Sequence, residues 1–340
     1  MKKKNKAIYL LFLMPFVYFA TACFVVWLVK TSGIYPSGSD TMYHVYRGDY
    51  VYNAIKSGNW YPLYDPAWYN GVEILRYWSP FPAYVMAFCQ YLAGGSQFGA
   101  YLFYIGGVCF LGACVWPFIG RGFNRPYLGA FIGLLWFFIP NNLCAIFIEG
   151  NLARSLSMIF LPVFIYSVYK YLYNHKLRYI PLMVFTFLLM ELCHLGYAGM
   201  AAIAVIIYGI VYMIQKGRKK AVLDVVISMI FGFMLLGIWL VASLRGGITS
   251  LDNSENMANF FQNLWITINP FERLTRGFEY FYFGFAALVV IVFGILFGYK
   301  KSRTGFVTGF IILLMTTKSA YAVLKHLPGS QYLWLSLIHI

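Results

Sequence analysis

Asp40, His44 and Arg47 stand at positions i, i+4 and i+7, so a helix that carries them presents a carboxylate, an imidazole and a guanidinium on one face. Such a trio can take a proton from a hydroxyl group while holding a phosphate. Asp40 also suits the start of a helix, where the dipole and free N–H groups favour an ionised carboxylate, and Ser39 can serve the same end. Gly58 is a good stop, so residues between Ser39 and Pro62 read as one helix beside the first apolar segment. Further along lie Arg76, then Glu149 with Arg154, and then Glu191 and His194 at i, i+3. Each has a plainer reading: Asp40 as a cap, Arg47 and Arg76 reaching for lipid phosphates, Glu149–Arg154 as a structural ion pair.

The elements that must position these groups are hydrophobic. In 340 residues, 61% are hydrophobic, 21% aromatic and only 11% charged, against about 45–50% apolar and about 25% charged in soluble domains. This is an all-α, polytopic transmembrane helix bundle. The net charge of +15 does not point to nucleic acid, because the basic residues fall in short clusters between apolar runs, as loop charges that orient a membrane protein do. Six cysteines lie scattered without CxxC spacing and read as packing residues.

Segments long enough to cross are Ala7 to Val29, Phe98 to Ile119, Tyr127 to Ile148, Leu156 to Tyr173, Leu195 to Ile214, Ala221 to Leu244 and Tyr280 to Tyr299. Tyr179 to Cys193 and Gly305 to Ser319 are shorter, giving about nine spans in a single domain over residues 1–340. The Lys2–Lys6 cluster, Arg121 with Arg125, Lys176 with Arg178, Lys216 to Lys220 and Lys300 to Arg303 all belong on the cytoplasmic side, the N-terminus included. That alternation holds only if Pro80 to Leu92 lies on the outer surface as an interfacial helix. The outer loops are then residues 30–97 and 245–279, and the candidate chemistry faces outward from the cytoplasmic membrane.

With SGSDTMYHVYRGDYVYNAIKSGNWYP in place, followed by YNGVEILRYWSPFPAYV at Tyr69 to Val85, the first loop resembles that of the GT-C membrane glycosyltransferases. The nearest likeness is to the bacterial membrane proteins called 6-pyruvoyl-tetrahydropterin synthase-related, a title that does not establish pterin chemistry. Shared features are the acid after the first span with a histidine four later, the Gly58-x-Trp60-x-Pro62 turn, the Asn70-Gly71 turn and Tyr77-x-x-Pro80. EGNLARSLSMIFLPV, Glu149 to Val163, resembles the second family segment, and His194 stands where such proteins often carry a histidine.

The resemblance implies a transferase that takes a sugar from a polyprenyl-phosphate donor at the outer membrane surface, among membrane lipids. No G-x-G-x-x-G unit and no P-loop occurs, in keeping with a lipid-linked donor. It implies Asp40 as general base or metal ligand, with His44 beside it. Arg47, Arg76, Arg154, Glu149, Glu191 and His194 would lie around the substrate and its phosphate. The second acid that many relatives carry is Ser39 here, so a divalent metal stays an open alternative. Two other classes remain: a transporter or flippase of lipid-linked saccharides, which expects broken mid-membrane helices, and a non-catalytic membrane scaffold. Leu335 to Ile340, LSLIHI, is what CTG TCT CTT ATA CAC ATC encodes, a sequence used in transposase-based library adapters, and reads as an artificial terminus on a truncated frame.

Overall fold

The computed structural model describes residues 2–36, 38–68, 71–76, 78–245 and 285–315, with residues 320, 322 and 326. The second expected outer loop and the LSLIHI terminus lie outside the described residues. Regular structure among the described residues is helical: α1 Lys2–Ser32, α2 Thr41–Lys56, α3 Phe81–Leu92, α4 Gln97–Gly122, α5 Pro126–Leu135 and the short α6 Pro140–Leu143. Then come α7 Leu152–Asn174, α8 Tyr179–Cys193, α9 Leu195–Lys216, α10 Lys219–Leu235, α11 Gly237–Arg245 and α12 Phe285–Met315. The one departure toward strand is an isolated antiparallel bridge between Asp65 and Val72.

Among the described residues, four stretches are long and apolar enough to cross a membrane: Phe12–Ser32, Gln97–Gly122, Leu152–Asn174 and Leu195–Lys216. A bent pair, Lys219–Leu235 with Gly237–Arg245, supplies a fifth if counted as one span, and its 64° break replaces the single Ala221 to Leu244 helix expected from the apolar run. Tyr127 to Ile148 also breaks. The helix gives way to a 3-10 turn at Trp136–Phe138, then to α6, then to a π-helical turn at Cys144–Ile148. Pro140 explains the first interruption, because the residue before a proline is driven out of the helical region, and Ile139 sits at φ −63°, ψ 122°. The Asn142 side chain donates to the Trp136 carbonyl at 2.9 Å, meeting an acceptor that the broken helix releases. In α12, Ser302 at φ −121°, ψ 27° interrupts the helix amid the Lys300 to Arg303 cluster.

The described contacts divide the chain into two compact units. The first holds Met1–Ser167, Pro181–Leu195 and Gly232–Ile248, and it contains every candidate site residue. Within it α4 packs on α1, α3 and α5, and α2 packs on α3. The α4–α5 contact is a close approach of backbones through glycine: a Cβ on Gly129 would meet the Trp116 carbonyl oxygen at 2.4 Å and the Gly120 Cα at 2.9 Å. Tyr18 of α1 donates to the Ala130 carbonyl at 2.8 Å, tying the first helix to α5. Apolar residues such as Phe12 and Phe16 on α1 stay more than two-thirds exposed, as side chains that face lipid do.

Two helices shorter than the candidate spans, α2 and α3, pack on each other in this unit. Asp40 is the residue before α2, and Gly58 at φ +86° ends it, with Asn59 N–H donating back to the Ala54 carbonyl at 2.9 Å. Pro80 and Pro82 start α3. A small core joins them, built from Val51, Ile74, Leu75, Ala83 and Ala87. The second unit, Val168–Ile180, Gly196–Phe231 and Thr249–Ile340, is held by tyrosine hydroxyls: Tyr171 donates to Asp224 at 2.5 Å and Tyr212 to the Leu172 carbonyl at 2.6 Å.

Crowding at Gly129 makes a clear expectation. Gly129→Ala should lower thermal stability of the detergent-purified protein by about 1–3 kcal/mol through overpacking. Gly107→Ala, where a Cβ meets nothing within 4 Å, should leave it unchanged or slightly raised. Melting curves of the two variants check this.

Candidate functional site

The site is built where the first long loop meets the turn before α7. The Asp40 N–H donates to the Glu149 carbonyl at 3.0 Å, and the Ser39 hydroxyl reaches the same oxygen at 3.1 Å. The approach depends on Gly150, which takes φ +67° and whose added Cβ would lie 2.1 Å from Thr41 Oγ1. A side chain there would push the start of α2 away from the turn. Asp40 is half-buried and Ser39 exposed, so this turn lies at the surface of the unit. The Ser39 hydroxyl lies 3.3 Å from Asp40 Oδ1.

One turn into α2 the face turns inward. His44 and Arg47 are buried, with Arg47 only 1% exposed. Arg47 therefore does not reach for lipid phosphate: it donates from Nη2 to the Trp78 carbonyl at 3.2 Å, with the Ser79 carbonyl at 3.5 Å, and stands 5.4 Å from the centre of the Tyr43 ring. Its Nε finds no hydrogen-bond partner. Burial pulls the His44 pKa from its ordinary 6.5 down to about 3, aided by the positive charge of Arg47 and by His194. His44 is thus a neutral imidazole at physiological pH, able to accept or donate one hydrogen bond but not to serve as a cation.

The α7 and α8 ends complete the group. Arg154 is fully buried and forms an ion pair with Glu149 at 2.5 Å. The Asn151 side chain accepts from the Arg154 N–H at 2.9 Å, as a helix cap does, and its Nδ2 lies 3.5 Å from His194 Nε2. Glu191 is 1% exposed, and its Oε2 is buried without a hydrogen-bond partner. The Ser79 hydroxyl donates to the Glu191 carbonyl at 2.9 Å, so the turn that Arg47 holds is also fastened to α8.

The structure therefore gathers Asp40, His44, Arg47, Glu149, Arg154, Glu191 and His194 at one end of the first unit. Arg76 has other engagements, pairing with Glu73 and donating from Nε to the Ala242 carbonyl at 2.9 Å. Asp49 points away from the group and accepts from Gln90 of α3 at 2.6 Å. Among the described residues no three of His, Cys, Asp or Glu come together as a metal-binding group. Sequence reading passed over Ser79, Asn151 and Asp65. Asn151, three residues before Arg154, carried a legible cap signal. Asp65 is buried and accepts from the Tyr46 hydroxyl at 2.6 Å, a pairing across 19 positions that no local pattern announces.

Compared with known proteins, residues 75–337 match the family model described as "6-pyruvoyl-tetrahydropterin synthase related domain; membrane protein". No curated protein and no solved structure matches the chain.

The state of His44 sets a pH dependence. Its pKa is lower in the folded protein than the 6.5 of an unfolded chain, so below 6.5 the unfolded state binds a proton that the folded state refuses. This contribution leaves stability unchanged above pH 6.5 and removes it progressively as pH falls from 6.5 toward about 3. Melting temperature followed from pH 8 to 4 should drop on the acid side, and His44→Gln should flatten that drop whatever its effect at neutral pH.

Proposed function

This chain belongs to the 6-pyruvoyl-tetrahydropterin synthase-related family of membrane proteins, and from that premise we propose that it is a GT-C-like glycosyltransferase using a polyprenyl-phosphate sugar at the outer face of the cytoplasmic membrane. The observation that carries the reading is the joining of Asp40 to the Glu149 turn by the 3.0 Å backbone hydrogen bond. That contact holds the half-buried Asp40 at the turn where Glu149 pairs with the buried Arg154, two helical turns before the buried Arg47.

In this reading the Asp40 carboxylate takes the proton of the acceptor hydroxyl. The freed oxygen electrons form a bond to the anomeric carbon, and the bond from that carbon to the phosphate oxygen breaks, its electron pair leaving with polyprenyl phosphate. Arg47 and Arg154 serve at a distance. Arg154 does so indirectly, since Glu149 balances its charge and the pair stiffens the turn at Asp40. The buried Arg47 bonds only to carbonyls among the described residues, and its charge acts through poorly polarisable surroundings to favour the departing phosphate. Neutral His44 adds no competing cation. Glu191 and His194 line the far side of the same group.

The 64° break between α10 and α11 favours a second reading, transport or flipping of a lipid-linked saccharide, since interrupted helices mark substrate paths in transporters. The two separate experimentally. Purified protein in a sugar-free detergent, incubated with labelled polyprenyl-phosphate hexoses and candidate acceptors, should release polyprenyl phosphate without any sealed compartment. Asp40→Asn should slow that release by about 10²–10⁴-fold, the usual worth of a general base, with insertion and folding intact. Retained release in Asp40→Asn defeats the assignment of the base, and movement only across sealed vesicles supports transport.

Sidedness has its own check. A cysteine introduced as Ser39→Cys should react with a membrane-impermeant maleimide added outside intact cells. Reaction only after the membrane is opened would place the site in the cytosol and end the proposal.

A further inference from the structure

Three basic clusters that lie far apart in the sequence meet at one end of the second unit. The turn between α7 and α8 carries Lys176 and Arg178, and the turn between α9 and α10 carries Arg218, with Lys216, Lys219 and Lys220 around it. The Arg218 guanidinium donates to His175 Nε2, and the Tyr212 hydroxyl donates to the Leu172 carbonyl at 2.6 Å, so the end of α9 lies against the end of α7. The third cluster arrives on α12. The Thr304 hydroxyl donates to Gln215 Oε1 at 2.8 Å, which brings the stretch with Lys300 and Arg303 to the same end of α9. All these lysines and arginines are exposed.

Membrane orientation alone does not ask for this gathering. The bias that keeps basic loops on one side acts on each loop as it is inserted and sets no distance between loops. Bringing like charges together is unfavourable. Among the described residues of this unit Asp224 is the one acid, and it already accepts from the Tyr171 hydroxyl at 2.5 Å. Two apolar side chains indicate where balancing negative charge comes from. Leu177, between Lys176 and Arg178, is 72% exposed, and Ile214, two residues before Lys216, is 76% exposed. Bare apolar side chains among exposed cations suit the boundary between lipid headgroups and acyl chains, and a soluble anion has no use for them.

We propose that this end of the second unit is a seat for anionic phospholipid headgroups, whose phosphates join the three basic turns while their acyl chains lie along Leu177 and Ile214. The proposal stands apart from the glycosyltransferase reading and does not depend on it. The arginines offer paired N–H donors to phosphate oxygens, and the lysines add point charges around them. A zwitterionic headgroup brings its own cation into the same cluster, so the seat selects by net charge. Because the turns belong to α7–α8, α9–α10 and α12, a bound headgroup also fastens these helices to one another.

The test uses the full chain purified in a non-ionic detergent and fluorescently labelled for thermophoresis. Dihexanoyl phosphatidylglycerol and dihexanoyl phosphatidylcholine are titrated below their micelle concentrations. Glycerol 3-phosphate presents the headgroup anion without tails, and a short RNA duplex stands for a nucleic-acid partner. Phosphatidylglycerol should bind saturably, at least about tenfold more tightly than phosphatidylcholine, and more weakly as salt rises from about 0.05 to about 0.5 M. Taking one cation from each of two turns, Lys176→Gln with Lys219→Gln, should weaken that binding about tenfold or more. Adding Lys300→Gln should weaken it again. Arg121→Gln with Arg125→Gln removes the same charge from the first unit and should change it by less than about twofold. Gel filtration confirms folding of each variant, and Lys220→Gln with Arg303→Gln is a second pair for the same measurement. Equal affinity for the two lipids overturns the proposal, as do equal losses from the two charge-removing pairs. Glycerol 3-phosphate or RNA binding as tightly as phosphatidylglycerol overturns it too, in favour of a soluble anion.

Discussion

The first unit is organised around one buried cation. Removing a guanidinium from water costs several kcal/mol unless its donors find acceptors, and Arg47 meets that cost with the carbonyls at Trp78 and Ser79 and with the face of Tyr43. The consequence is spatial. The turn before α3 is drawn against α2, its Ser79 hydroxyl then reaches the Glu191 carbonyl on α8, and three segments distant in sequence come to share one wall. Because burial also keeps the His44 imidazole neutral near physiological pH, His44 adds no positive charge beside Arg47.

A second junction sets the acid. The 3.0 Å bond from the Asp40 N–H to the Glu149 carbonyl, allowed by the missing side chain of Gly150, brings the first long loop to the head of α7. Arg154 and Glu149 neutralise each other just below it. The plainer reading of that pair is compatible with the proposed one: the ion pair stiffens the turn, and the turn holds Asp40 in place. The π-helical turn at Cys144–Ile148 contributes as well, since the Glu149 N–H closes on the Cys144 carbonyl at 2.8 Å and so aims the turn.

Much was legible without coordinates. Asp40 and Gly58 mark the ends of α2, although the Asp40 side chain makes no capping hydrogen bond, the paired prolines announce α3, and long apolar runs announce the spans, because each depends on residues within a few positions of one another. The breaks were harder. Tyr127 to Ile148 is apolar throughout except for Asn141 and Asn142, and hydropathy alone does not register that Pro140 forces Ile139 into an extended conformation. The bend after Leu235 had no proline to mark it.

By itself, then, the sequence determined the membrane setting, the helical class, the start and end of α2 and the face shared by Asp40, His44 and Arg47, since periodicity and local chemistry decide these. Which of those side chains face inward was decided only by tertiary packing. A shared helical face says nothing of what covers it, and α3 and α4 pack against α2, where His44 and Arg47 are buried while Asp40 is half-buried. The joining of Tyr46 to Asp65, of Ser79 to α8 and of Asp40 to Glu149 likewise belongs to the fold, because hydrogen bonds across 19 to 112 positions are set by how helices meet and leave no trace in the residues beside them.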